Sequence, residues 1–176
     1  MEGSGFVSEP NSVIDHPSRR LVIALPMSYD DARARYEAVV PVYDATAFAD
    51  AQSWDDTLAI ANVQAPHGFM LYARFDVTPM LAGSPSAGRA TEYLMGNHTI
   101  AETMFRHDPC VMLHAPLRTV ICEGADGCAR FVVDQPSLQF GSFGKPEIAA
   151  VGRHLDELLA GVIGLLGAEV PAELGG

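Results

Sequence analysis

The chain has no surplus of positive charge. Eleven Lys and Arg stand against 22 Asp and Glu, a formal charge of −11. A nucleic-acid partner needs a cationic face to displace phosphate counterions, and an anionic membrane surface needs the same, so neither partner is expected. Long apolar runs are missing too: none approaches the roughly 20 residues of a spanning helix. The first 17 residues are rich in Gly, Ser and Pro and lack a basic-then-apolar leader pattern, so a cytoplasmic location is expected. Cysteine is scarce, and Cys110, Cys122 and Cys128 form no CxxC pair. In a reducing compartment they are expected as free thiols, mostly buried. Cys122 and Cys128 flank a turn, and spacing alone leaves open whether they approach each other. No GxGxxG or GxxxxGK[ST] loop occurs, so neither phosphate-cradling architecture is indicated and no cofactor is implied. Nucleophile signals are weak. Ser142 lacks the flanks of a strained elbow, and no spacing rule places His107 on the Cys110 sulfur.

What is present is enough for one domain. With 176 residues, 48% of them hydrophobic, the chain can bury a core without staples. Residues 1–17 read as a flexible N-terminal arm, 18–168 as a single domain and 169–176 as a C-terminal tail. Leu21, Ile23 and Leu25 alternate within a first strand over 19–27. Ser28 followed by acidic residues opens an amphipathic helix over 29–39, with Ala32, Tyr36, Val39 and Val40 on one stripe and Pro41 as its stop. Trp54, Leu58 and Ala61 suggest a short helix near 53–62. An aromatic-rich strand follows over 68–77, then a loop over 79–88 and a strand over 90–95. Strands over 117–123 and 128–134 are joined by Gly-Ala-Asp-Gly, a strong hairpin signal. Residues 135–144 read as a loop. Pro146 then starts a helix of about five turns, with Gly167 as its C-terminal cap.

The stretch Tyr93–Pro116 organises the rest. It reads as a strand, a Gly-Asn turn, a short helix ended by Asp108-Pro109, and a return to the sheet. Three of the six histidines lie in it. The element order predicts an α+β fold: an antiparallel sheet of about five strands with helices packed on one face, in a strand–helix–four-strand–helix order with a helical insertion.

Several residues carry a resemblance. Leu-Val-Ile before a capped helix, Phe75-Asp76 closing an inner strand and Gly96-Asn97 opening a short helix are three points. Asp108-Pro109, Ala115-Pro116 leading into the hairpin, and Asp134 with Pro136 complete the set. Together they resemble the domain of unknown function 302 family over most of residues 20–166. The resemblance implies a TATA-binding-protein-like or Bet v1-like α+β topology, often as a homodimer, and no established activity. The family often has proline after Gly-Asn, where this chain has His98, and residues 42–66 look like an insertion relative to shorter members.

The chemistry concentrates on the short helix. Asn97 is a good N-cap, which puts His98 in the first turn and Glu102 four residues on, on the same face. His107 falls at the helix end, and His114 in the following segment. Glu102 and Arg106 are spaced to form an exposed ion pair, with the histidines as surface groups. Alternatively Glu102 and His98 or His107 form an acid–base pair acting on a bound molecule. A weaker alternative is a metal site of His98, Glu102 and His107 or His114. Met70, Met80, Met95, Met104 and Met112, with Phe105 and Phe140, are core by default. They would line a cavity if the helices leave part of the sheet uncovered. The expectation is therefore a small-molecule-binding protein for an apolar or aromatic ligand, touched by Asn97, Met95, Met104, His114 and Phe140. The alternatives are a cofactor-independent isomerase, lyase or cyclase using Glu102 with His107 or His98, and a dimeric structural or interaction module.

Overall fold

The fold is described from a computed structural model over residues 11–86 and 88–175. The arm expected over 1–17 lies partly outside the described residues; from 11 to 19 the chain carries no helix or strand. Five antiparallel strands, β1 (Arg20–Ala24), β2 (Met70–Asp76), β3 (Ala90–Gly96), β4 (Leu117–Glu123) and β5 (Ala129–Asp134), form one sheet in the order β1-β5-β4-β3-β2. Strict alternation decides which face is covered. Leu21 and Ile23, Phe131 and Val133, Thr119 and Ile121, and Tyr93 and Met95 turn inward and are buried. On the other face Val22 is 58% exposed and Phe75 47%, and Arg20–Asp134 and Arg118–Glu92 pair across strands.

Two long helices cover the buried face. Helix α1 (Tyr29–Val39) starts where Ser28 Oγ accepts the Asp31 N–H at 3.2 Å, and it buries Tyr29, Ala32 and Tyr36. The last long helix, Pro146–Leu165, buries Ile148, Leu155, Leu159, Val162 and Ile163 on one stripe. Gly167 follows it with a left-handed φ of +81°, the conformation a helix terminus asks of glycine. Between the long helices the chain adds α2 (Ala45–Ala49), α3 (Trp54–Gln64), the single turn α4 (Val77–Met80), α5 (His98–Phe105) and α6 (Pro136–Gly141), so the long C-terminal helix is α7. This is the α+β architecture that the element order implies.

Three local expectations are corrected. The loop expected over 135–144 contains α6. Pro136 presets its first turn, and Asp156, buried in the middle of α7, accepts the Ser137 N–H at 2.9 Å in place of a local cap. Gly152 makes that approach possible, since a Cβ there would lie 3.1 Å from both Phe140 Cβ and Ser137 Cα. The tail is not bare either: Ala172–Leu174 forms a 3₁₀ turn that tucks Leu174 to 3% exposure. The segment before Trp54 adds α2, capped by Asp44. All three cysteines are free thiols, but they are not buried as expected: Cys110 is exposed and Cys122 and Cys128 are half-buried. Among the described residues no helix is long and apolar enough to cross a membrane.

Candidate functional site

Asn97 sets the geometry. Its Oδ1 accepts the Thr99 N–H at 3.0 Å and the Thr99 hydroxyl at 2.7 Å, which caps α5, while its Nδ2 donates to the Gly68 carbonyl at 3.1 Å. The helix is thereby pinned at once to the end of β3 and to the start of β2. Gly96 lets the turn close tightly, because a Cβ there would stand 3.2 Å from Pro116 Cβ and 3.6 Å from Tyr72 Cε2.

Beneath α5 the packing leaves a hollow of about 360 Å³. Helix α5 supplies His98, Ile100, Ala101, Glu102, Met104 and Phe105 to its wall. Phe69 and Tyr72 come from the β2 side, Met112 and Ala115 through Leu117 from the segment before β4, and Phe140 and Leu155 from α6 and α7. The wall is mostly carbon, with Tyr72, Asn97, His98 and Glu102 as its polar side chains. Such a lining, apolar with a few convergent polar groups, is the usual make-up of a ligand pocket.

The polar side chains are ordered by their neighbours. Tyr72 Oη accepts the His98 backbone N–H at 3.0 Å and lies 2.7 Å from His98 Nδ1. Tyr72 reaches that position from a β-bulge: pairing with β3 shifts register between Leu71 and Ala73, which leaves Tyr72 without a partner in the ladder. Phe48 packs on the imidazole with ring centres 4.8 Å apart at 75°, and Tyr43 stacks on Tyr72 at 4.9 Å. Burial pushes the His98 imidazole below its ordinary value, so it is neutral at neutral pH, and burial pushes the Tyr72 phenol up. Glu102 is held by Arg106 one turn further along α5.

The family model for "Domain of unknown function DUF302" matches residues 46–166. The chain belongs to the DUF302 family. The matched segment takes in most of the 42–66 stretch and the whole wall of the hollow. The chain is similar to an uncharacterized conserved DUF302 protein from Bacillus stearothermophilus, known from a crystal structure. The TM-score is 0.63 at 14% identity, over 84% of this chain and 97% of that one. At that identity the likeness bears on the fold alone. No curated protein matches the sequence.

In this DUF302 chain the expected site residues divide. Asn97, His98, Glu102, Met104 and Phe140 meet at the hollow. Met95 does not. Strand parity puts it on the buried face, where its Sδ takes a hydrogen bond from Tyr36 Oη at 3.1 Å. His107 lies beyond the end of α5, exposed, with its backbone carbonyl accepting from Lys145 Nζ at 2.8 Å. His114 is outside the wall of the hollow, with its ring 6.1 Å from Phe140 and 6.0 Å from Phe143, and burial lowers its pKa. Among the described residues no three His, Cys, Asp or Glu side chains are gathered as a metal site, so His98, Glu102 and His107 do not converge. Met112 and Phe105, conditional candidates from composition, do line the wall, whereas Met70 is core and Met80 exposed. Tyr72, Phe69 and Leu155 were not singled out by the sequence. A bulge and the packing of α7 bring them in, and neither leaves a local signature.

Proposed function

We propose that this protein binds a small apolar or aromatic molecule in the hollow beneath α5. The observation that carries the reading is a carbon-lined hollow of about 360 Å³, partly open to solvent, with a few polar groups on its wall. A dry cavity of roughly 150 Å³ accommodates benzene, so this one suits a ligand of about two fused rings. Hiding roughly 250 Å² of ligand carbon contributes about 6 kcal/mol, equivalent to a Kd of roughly 40 μM before the cost of association, so binding in the millimolar range is expected. Calorimetric titration with two-ring aromatics tests the reading. The wild type is expected to bind them, and Ala101→Phe, which places a ring inside the hollow, is expected to lose binding while remaining folded. Unchanged binding in Ala101→Phe would move the ligand elsewhere.

A cofactor-independent enzyme acting on the same ligand is the second reading. It is favoured by a neutral imidazole, His98, and a carboxylate, Glu102, on one wall of the same hollow. That arrangement suits proton transfer at carbon, with Glu102 as base once a ligand or solvent loosens Arg106, and His98 as acid. Under this reading Glu102→Gln removes turnover and leaves ligand affinity nearly intact.

A further inference from the structure

The hollow has its own chemical preference, written in the Tyr72–His98 pair. Tyr72 Oη already accepts the His98 backbone N–H at 3.0 Å. Among the described residues its single hydrogen has no acceptor other than His98 Nδ1, 2.7 Å away, and that donation favours the tautomer that carries its hydrogen on Nε2. Phe48 and Tyr43 close on the same ring with centres 4.8 and 5.9 Å away, which holds it in place. Among the described residues Nε2 has no protein partner, so one donor on the wall is left unused.

Charge narrows the class further. Among the described residues no Arg or Lys lines the hollow, and its one charged wall residue, Glu102, is already compensated by Arg106. A carboxylate ligand would lose its hydration with no cation to replace it, close to Glu102. An ammonium ligand would have to compete with Arg106 for the same carboxylate. An uncharged molecule with one oxygen acceptor meets neither cost.

Resting on the binding reading above, we propose that the ligand is an uncharged cyclic ketone or similar carbonyl compound, mostly carbon, whose oxygen accepts a hydrogen bond from His98 Nε2. Tyr72 is a positioning residue that fixes the tautomer.

The test titrates the full chain with four probes of one size: naphthalene, 1-tetralone, 1-naphthoate and 1-naphthylmethylammonium. The wild type is expected to bind tetralone roughly three- to tenfold more tightly than naphthalene, the worth of one net hydrogen bond, and more tightly than either charged probe. In His98→Phe that preference collapses to about one while naphthalene still binds, which also shows that the variant is folded. Tyr72→Phe keeps the imidazole but frees its tautomer and is expected to reduce the preference about twofold. Equal affinity of the wild type for tetralone and naphthalene overturns the proposal and leaves the binding reading standing. So does a tetralone preference that persists in His98→Phe, or naphthoate or the ammonium probe binding tightest. Binding of none of the four would remove the binding reading, and this inference with it.

Discussion

The same face of one sheet is treated in two ways. Under α1 it is packed shut, and the buried hydroxyls are paired: Tyr29 Oη to Thr91 Oγ1 at 2.6 Å, Tyr36 Oη to Thr119 Oγ1 at 2.8 Å and to Met95 Sδ at 3.1 Å. Tyr36 is fully buried, its ring meets Tyr93 at 5.0 Å and Phe131 at 5.3 Å, and burial pushes its phenol far up. Under α5 the sheet face is left hollow, and His98 keeps a spare donor. Buried polar groups alone therefore do not mark a site. The α1 side has several with no valence left over and no room, so they act as latches in the core. A site needs both volume and an unused group, and the α5 side offers them together at the apolar hollow beside His98.

The largest way to break this comparison is to empty the full side. Tyr36→Ala is expected to cost about 3–5 kcal/mol, read from urea unfolding, because it opens a cavity and strands Thr119. Overpacking separates the two sides more sharply. Ala32→Leu, on the buried stripe of α1, is expected to cost about 1–3 kcal/mol, whereas the larger change Ala101→Phe in the hollow should stay within about 1 kcal/mol of the wild type. Comparable losses in both would mean that the α5 side is as full as the α1 side. Asn97→Ala is expected to cost about 1–2 kcal/mol by removing the α5 cap together with the tie to Gly68, and to weaken ligand binding with it. A ligand affinity untouched by that change would separate the hollow from the placement of α5.

The smallest effect is in pH. The folded chain keeps His98 neutral below its ordinary pKa, whereas the unfolded chain takes up the proton near pH 6.5. Stability therefore falls as the pH drops from about 6.5 through the lower folded pKa. The slope is shallow because the ring is only half-buried. His98→Phe should flatten it, leaving the similar contribution of His114; an unchanged slope would show that His98 is solvated in the folded protein.

Much of the architecture was legible in the sequence because it follows from local rules. Alternation in Leu21 and Ile23, the Ser28 cap before α1, the Asp126-Gly127 turn with Gly127 at φ +78°, and the three- and four-residue steps of α7 each act within a few residues. Asn97 as the cap of α5, with His98 and Glu102 on one face, is of the same kind. What was not legible depends on partners far along the chain. Helix α6 is completed by Asp156 and admitted by Gly152, both on α7. Tyr72 reaches His98 only because β2 bulges against β3. By spacing His107 is as good a candidate as His98, but α5 ends at Phe105 and the chain turns away before it. Met95 and Met104 are alike in composition. One belongs to a strand whose parity faces α1, the other to the helix over the hollow.

The most direct test of the central claim is methyl NMR of the full chain titrated with 1-tetralone. Saturable shifts are predicted at Ile100, Ala101, Met104, Met112 and Leu155, on the wall of the hollow, with Met95, Ile23 and Ile163 unmoved under α1 and α7. Shifts spread evenly over both sets, or none at millimolar tetralone, would contradict the account.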